Sequence, residues 1–549
     1  MDGNNEAFVL RGGLLVDGSG AAPRFQDLLI RGGRIEAIGE IPDAAGVLLD
    51  CRDKVVAPGF IDAHSHMDFF AASDDAHYFD SFTAQGVTTF VSGNCGFSPF
   101  GFAAETRHRK LLENSLFKAG RETLDWNSFA EYRAVLRAMG LTHNFVHLAG
   151  HGATRTSLSG FEARPLSSDE HAEMLRILDR EMSDGAAGVS LGLQYKPGVF
   201  AKLEELDEVA RLVQRHDKLL TVHAKAYSTF SGTYPPIPFG RPHNLKAIDD
   251  MLGLARRTGV RLQFSHLIFV GGRTWKTFEE AVNLFDRAID DGVDVCFDMF
   301  PYGCGATLLN TLLPEWFMAR MPGALHHPLH RARLRIEAEV GFRLVGFGYP
   351  QIQITNANCP QYDEYNGRFL PDIASSVRMS CFETMLDILD KSEAEARVLF
   401  HDYYEPSLVT RLMQHPAAIF ASDSWPEPGG HQNPAAFGTF PRFLRTARET
   451  GNLSLEETVH KMTGAAAERF RLDGRGHLRE GFAADVTVFD WKGVRDHSND
   501  TNDAAPSGIH DVFVNGTPLL RSGELTGAMR AGCSIESARD ASANTRGSS

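Results

Sequence analysis

The chain is poor in cysteine, has no excess of basic residues and lacks long apolar runs, and each absence removes a class of function. Seven cysteines (51, 95, 296, 304, 359, 381, 533) are scattered over 549 residues. An odd, unpaired set of this kind reads as reduced thiols rather than a disulfide framework, and makes the cytoplasm the expected compartment. Seventy acidic residues against 55 basic ones leave a formal charge of −15, the opposite of the clustered cationic surface that a nucleic-acid partner requires. No segment approaches the roughly 20 consecutive apolar residues of a membrane span. The N-terminal MDGNNEAFVLRGG has neither the basic start nor the apolar core of a secretory signal. What is present is the balance of a large soluble globular protein: 43% apolar and 23% charged residues, enough to bury a substantial core in a unit larger than one ordinary domain.

Residues 1–57 contain short alternating runs bounded by glycine and aspartate, FVLRGGLLVDG and QDLLIRGGRIEAIGE, which predict strands joined by tight turns. Similar runs return in 471–530, as ADVTVFDW and HDVFVNGTPLL, so both chain ends are expected to build one small β-sandwich. Between them, over 58–470, nearly uniform apolar runs (VTTFVSG, NFVHLAG, AAGVSLGL, KLLTVHA, VRLQFSHL, VDVCFDM, AIFASD) alternate with segments of helical period such as DEHAEMLRILDREMSDG and FEEAVNLFDRAIDDG. Strands apolar on both faces belong to a parallel sheet covered by helices. Seven or eight such units over this length predict an α/β fold of the (β/α)8 TIM-barrel type. Residues 315–400 break the rhythm and read as an insertion between strands 7 and 8, a candidate lid. The small, polar tail 531–549 reads as disordered.

The residues suited to chemistry fall at the ends of these strands, where barrel enzymes place their catalytic groups. APGFIDAHSHMD carries His64 and His66, which on a strand would face the same side. An HxH pair alone discriminates poorly among 22 histidines. Cys95 lies in a GNCG turn after the next strand, where a sulfur is exposed and would suit zinc. His223 (TVHAKAY), His266 (FSHL) and Asp423 (ASDSW) each close a β-rich run. Singly, each also fits a buried core histidine, a small apolar thiol or a turn-capping aspartate. Jointly, six zinc-competent side chains from one set of strand ends predict a metal centre.

With these landmarks in place, the chain resembles the amidohydrolase superfamily, and within it the D-aminoacylase (N-acyl-D-amino-acid deacylase) branch. The resemblance runs from about residue 8 to 530 and is carried by VAPGFIDAHSHMD, GVTTFVSGNCGFSPFG, HLAGHGATR, FDMFPYGCGATLL and GHLREGFAADVTVFD. It implies one tight Zn2+ held by Cys95, His223 and His266, and a weaker second site from His64, His66 and Asp423 with Cys95 as the shared ligand. Lys196, in GLQYKPG, lies near the position where other superfamily members use a carbamylated lysine; with Cys95 present, that role is not expected of it. The chemistry implied is hydrolysis of a linear amide by metal-activated hydroxide, with Asp423 as general base and then acid. Tyr302, in FPYG, is a candidate donor to the developing oxyanion or else a rim aromatic, and His151 a candidate pocket residue or a loop anchor.

The branch's hold on a substrate carboxylate is where this sequence departs from it. Ile268 stands where a lysine is expected after the strand-6 histidine, and Ala435 or Ala436 falls near the expected arginine. Losing both removes charge-assisted bonds, each on the order of 1.5–3 kcal/mol. A more apolar amide or lactam of an N-acyl compound is therefore the expected small-molecule substrate. The alternatives are a conventional N-acyl-D-amino-acid deacylase whose carboxylate clamp has moved, for instance to Lys225 or Arg273, and a cyclic amidohydrolase or deaminase. Barrel hydrolases often associate, so a homo-oligomer is compatible with this reading.

Overall fold

The computed structural model describes residues 6–114, 123–235, 240–497 and 503–527; the 531–549 tail, with Cys533, lies outside the described residues. Eight parallel strands surround the centre: β1 (Phe60–Asp62), β2 (Val87–Ser92), β3 (Asn144–His147, resumed at Ala149–Gly150), β4 (Gly188–Gly192), β5 (Leu219–His223), β6 (Arg261–Phe264), β7 (Val295–Met299) and β8 (Ala418–Phe420). Hydrogen bonds run β1–β2–β3 in one sheet and β3 through β8 in the other, the two parts of β3 joining them at Leu148. The ring closes just past the strand ends, where Ser65 bridges Ser424 in parallel and the Asp423 amide donates to the His64 carbonyl at 2.9 Å. β2, β3, β4 and β5 are buried at every position, as strands sandwiched between a filled interior and an outer helical layer must be.

Helices cover the outside where the apolar period changes from 2 to 3.6, among them Ser168–Ser183, Leu203–Arg215 and Phe278–Asp290. The first of these starts on a capping box: the Ser167 hydroxyl accepts the Glu170 amide while Glu170 reaches back to the Ser167 amide. Both chain ends share one folded sheet. The strand Val55–Pro58 pairs antiparallel with Val486–Phe489, and Phe8–Leu15 lies between Arg24–Arg31 and its parallel neighbours. A bulge at Arg11–Gly12 interrupts the pairing of Phe8–Leu15 with Arg24–Arg31, and on its other edge Phe8–Leu15 pairs first with Val47–Asp50 and then with Val55–Pro58. Phe8, Leu28, Ile35, Val486 and Phe513 make one apolar core from the two ends.

Between β7 and β8 the chain makes a three-stranded antiparallel sheet, in the order Gly305–Leu308, Arg397–Phe400, Ile352–Asn356, together with several helices. The longest is helix α1 (Pro328–Val345). This antiparallel unit stands over the mouth of the barrel and supplies part of the cavity wall described below. No helix among the described residues is long and apolar enough to cross a membrane.

One barrel residue carries a pH prediction. His147, on β3, is enclosed by Phe100, Phe129, Tyr132 and Phe145, and both its ring nitrogens are buried without a hydrogen-bond partner. Burial pulls its pKa down to about 3, so the folded protein keeps it neutral while an unfolded chain protonates it near 6.5. The folded pKa is depressed, so its contribution is intact above about pH 6.5 and is lost as pH falls towards 3, at up to about 1.4 kcal/mol per pH unit. His147→Phe is expected to remove about one proton from the uptake on unfolding at pH 5. Urea unfolding between pH 7 and 4 measures this, and an unchanged slope against pH would refute it.

Candidate active site

Each candidate ligand sits within a few residues of the C-terminal end of its strand. His223 is the last residue of β5, His266 follows β6 by two residues, and Cys95 and Asp423 follow β2 and β8 by three. His64 and His66 lie beyond β1 rather than on it, so strand alternation is not what brings them together; their rings nevertheless pack edge to face, 5.4 Å apart. Three of these positions depart from ordinary strand geometry: Cys95 (φ +55°), His266 (φ +32°) and Asp423 (φ +49°) adopt left-handed backbone that side chains other than glycine rarely take. The Cys95 turn also needs the bare backbone of Gly192 beside it, where an added Cβ would meet the Cys95 carbonyl at 1.9 Å.

The donor atoms converge. Cys95 Sγ lies 3.4 Å from His64 Nε2, 3.5 Å from His223 Nδ1 and 3.7 Å from His266 Nε2, and His223 Nδ1 and His266 Nε2 are 2.9 Å apart. Asp423 Oδ1 is 3.3 Å from His64 Nε2 and 3.6 Å from His66 Nε2. His64, Cys95, His266 and Asp423 present donor atoms within 4.8 Å of one another. Such spacings match ligands around an ion at bond lengths of roughly 2.0–2.3 Å. All six side chains therefore meet in one place, with the Cys95 sulfur against His64, His223 and His266 and Asp423 against His64 and His66.

The electrostatics argue for a cation as well. Burial pushes the Cys95 thiol up to about 11, and burial holds the His223 imidazole well below its usual range and so unprotonated. His64 is shifted the other way: despite its burial, the neighbouring Asp298, Cys95 and Asp423 hold it above its usual range. A buried thiol in such a donor set becomes a thiolate ligand when a divalent ion is bound. Burial by itself would raise the Asp423 carboxyl, but the neighbouring His266, His64 and His66 outweigh it and keep the group ionised. The residues present fit a zinc-type ion.

Three supporting groups have no place in the sequence reading. Gln194 Oε1 lies 3.1 Å from His223 Nε2 and can accept a hydrogen bond from its N–H, turning the Nδ1 lone pair towards the centre. Asp298, on β7, stands 3.2 Å from His64 Nδ1 and accepts the His266 amide at 2.7 Å, supporting the left-handed residue at that position. Asp62 accepts both the amide and the hydroxyl of Ser422, at 2.9 and 2.5 Å, and ties β1 to β8 beneath the donors. Asp298 lies in FDMFPYG at a strand end like the ligands themselves, a signal that could have found it.

Other candidates fall elsewhere. Tyr302 is fully buried, does not line the cavity, and has the Arg442 guanidinium over its ring at 4.2 Å; Tyr195, Tyr227, Tyr234 and Tyr403 are the tyrosines on the cavity wall among the described residues. His151 is buried off the cavity, with Nε2 2.8 Å from Glu205, which also pairs with Arg155. Lys196 has its ammonium 4.9 Å from the Phe161 ring centre and faces a separate small cavity with Glu395 and Asn310. Lys225 pairs with Glu315 at 3.3 Å, Arg273 does not line the cavity, and Ala435 and Ala436 are buried at the start of the helix Ala435–Thr450. Ile268 does line the cavity.

That cavity, of about 740 Å³, runs outward from His66, Cys95, His223, His266 and Asp423. Among the described residues its wall contains one lysine or arginine, Arg333. Arg333 is held by Glu337 at 2.7 Å and stacks on Trp316 at 4.0 Å, while the Trp316 indole donates to Glu337 at 2.7 Å.

Comparison with known proteins places this arrangement. A family model described as the amidohydrolase family matches residues 47–299 and 370–518. The chain is 31% identical over 534 residues to the N-acyl-D-aspartate deacylase of Alcaligenes xylosoxydans xylosoxydans, covering 96% of this chain and 94% of that one. It is 32% identical to the N-acyl-D-glutamate deacylase of the same organism, with 93% of each chain covered. Among solved structures, a D-aminoacylase studied for its binuclear metal centre superposes with a TM-score of 0.79 at 27% identity, over 96% of this chain and 99% of that one. The Bordetella bronchiseptica N-acyl-D-glutamate deacylase, complexed with zinc and a phosphonate mimic of the tetrahedral intermediate, does so with a TM-score of 0.79 at 28% identity and the same coverage. The chain belongs to the amidohydrolase family, on its D-aminoacylase branch, and is a metal-dependent hydrolase of carbon–nitrogen bonds other than peptide bonds.

Proposed function

We propose that the protein hydrolyses the linear amide bond of an N-acyl compound, with zinc held by Cys95, His223 and His266 and a second ion accommodated by His64, His66 and Asp423. The carrying observation is the placement of Asp423 beside the convergent donors on the wall of one cavity. When bound, such an ion acidifies its water and polarises the amide carbonyl. Asp423 takes the proton of the attacking water and returns it to the leaving nitrogen, serving as base and then acid. Gln194 and Asp298 keep His223 and His64 in the tautomers that this work needs. The cavity tyrosines replace Tyr302 as candidate donors to the oxyanion.

The names of the relatives favour a second reading, an N-acyl-D-amino-acid substrate. The wall argues against it: Ile268 is apolar and Arg333 is already paired to Glu337, while Lys225, off the wall, is paired to Glu315. An unpaired substrate carboxylate in such a cavity would lack the charge-assisted partners it needs. Neutral N-acyl amides are expected to exceed N-acetyl-D-aspartate, -glutamate and -leucine in kcat/KM by about tenfold or more, the equivalent of a single charge-assisted bond. Steady-state kinetics on the two panels decide the matter, and turnover confined to the acids would overturn the neutral assignment.

A further inference from the structure

Helix α1 (Pro328–Val345) carries two apolar stripes where a surface helix has use for one. Leu334, Gly341 and Val345 face the body of the protein. A second stripe, offset around the helix by roughly a third of a turn, contains Ile336, Val340 and Leu344, which are 67, 50 and 45% exposed. Apolar side chains spaced at four-residue intervals and left in water call for an occupant. The structure indicates where it lies, because all three residues, together with Leu334, Gly341 and Val345 at the helix's buried edge, line the cavity that also holds Cys95 and Asp423. The same cavity is lined by Phe230, Tyr234, Trp316, Val270, Phe347 and Phe400, and by Ile268. Gly341 lets the helix approach closely, since a Cβ there would already touch the Phe230 ring at 3.4 Å.

A short acyl group and a small amine would fill only the inner end of 740 Å³. From Ile336 to Leu344 the stripe runs about 12 Å at 1.5 Å per residue. The one arginine on the wall, Arg333, is bound into the Trp316–Glu337 contact and adds apolar stem and stacked face rather than a free charge.

We infer that the exposed stripe of helix α1 is a binding wall for a hydrocarbon chain, and that the substrates are amides bearing a long aliphatic chain, on the order of eight to ten carbons in reach of the stripe. The inference rests on the amide-hydrolase reading above and specifies its substrate class. The chain is either the acyl half or the amine half of the amide, and two matched series distinguish them.

The test uses N-acyl amides from acetyl to decanoyl on one fixed amine, and acetamides of amines from methyl to decyl, with the full-length metal-loaded protein. In the series that carries the chain, kcat/KM is expected to rise about three- to fourfold per methylene, the increment of burying each CH2. Ile336→Asp and Val340→Asp are expected to lower the octanoyl-to-acetyl, or octyl-to-methyl, ratio at least about tenfold. Leu329→Asp, on the same helix, 74% exposed and off the cavity wall, is the control whose ratio stays at the wild-type value. Calorimetric binding of n-decanamide against acetamide to the Asp423→Asn protein gives a readout free of turnover, with tighter binding and a negative heat-capacity change expected for the longer chain. Flat ladders in both series with equal affinities overturn the chain wall and leave the hydrolase reading standing. Chain-dependent binding without cleavage of any amide supports the wall and overturns the hydrolase reading instead. Flat ladders together with binding to phosphatidylcholine vesicles that Val340→Asp abolishes would reassign the stripe to a lipid surface and overturn the proposal.

Discussion

Asp423→Asn is expected to lower kcat by about 10³- to 10⁴-fold, the upper range for removing a general acid–base group. Asparagine preserves the shape and one oxygen donor but cannot accept and return the proton. The structure makes a substitute hard to find. Asp298 and Asp62 are the other carboxylates close by, and both are spoken for: Asp298 accepts the His266 amide and stands against His64, and Asp62 is bound to Ser422 below the donors. The measurement is kcat alongside metal content by elemental analysis, so that loss of the ion is separated from loss of proton transfer. Retention of a tenth of the wild-type kcat at full metal occupancy would remove Asp423 from the proton path.

Cys95→Ala is expected to have the other large effect, on metal retention as well as on rate. Its sulfur lies centrally among the donors, 3.4 Å from His64 and 3.5 and 3.7 Å from His223 and His266. Removing it takes away the softest ligand and one that joins the two subsites. We expect tight metal content to fall well below one ion per chain after dialysis and kcat/KM to fall by about 10²-fold or more, at or beyond the cost seen for supporting residues of metal sites. His66→Ala is the matched comparison. His66 approaches the donor set through Asp423 at 3.6 Å, so its loss should spare the tightly held ion. Equal metal loss in both variants would contradict the division into a tight and a weak subsite.

Much of this architecture can be read from the chain, for identifiable reasons. Nearly uniform apolar runs such as VTTFVSG and KLLTVHA, alternating with segments of helical period, read as doubly covered strands, and β2 and β5 are buried throughout. The six donors were visible because each is a zinc-competent residue type closing such a run. Of the supporting groups only Asp298 left a trace, as an acidic residue near a strand end, and its role was not legible. Gln194 and Asp298 matter through the direction in which their side chains leave neighbouring strands, and direction across a closed barrel is a property of register and stagger, not of spacing along one segment. Tyr302 failed for the converse reason: FPYG looks like a rim turn, yet the residue points into packing beneath Arg442 while tyrosines from three other segments reach the cavity. The antiparallel sheet between β7 and β8 was also opaque, since Gly305–Leu308 and Arg397–Phe400 are partners separated by a long stretch with no local sign of pairing.

The strand Val55–Pro58 completes its pairing with Val486–Phe489, roughly 430 residues later, which at about 5–20 residues per second is on the order of 20–90 s of synthesis. Throughout that interval a fully apolar strand waits on the ribosome with an unpaired edge. Yield in a heterologous host is therefore governed by how long this edge is shielded, so slower growth temperatures without added holding chaperones should cost soluble protein rather than gain it.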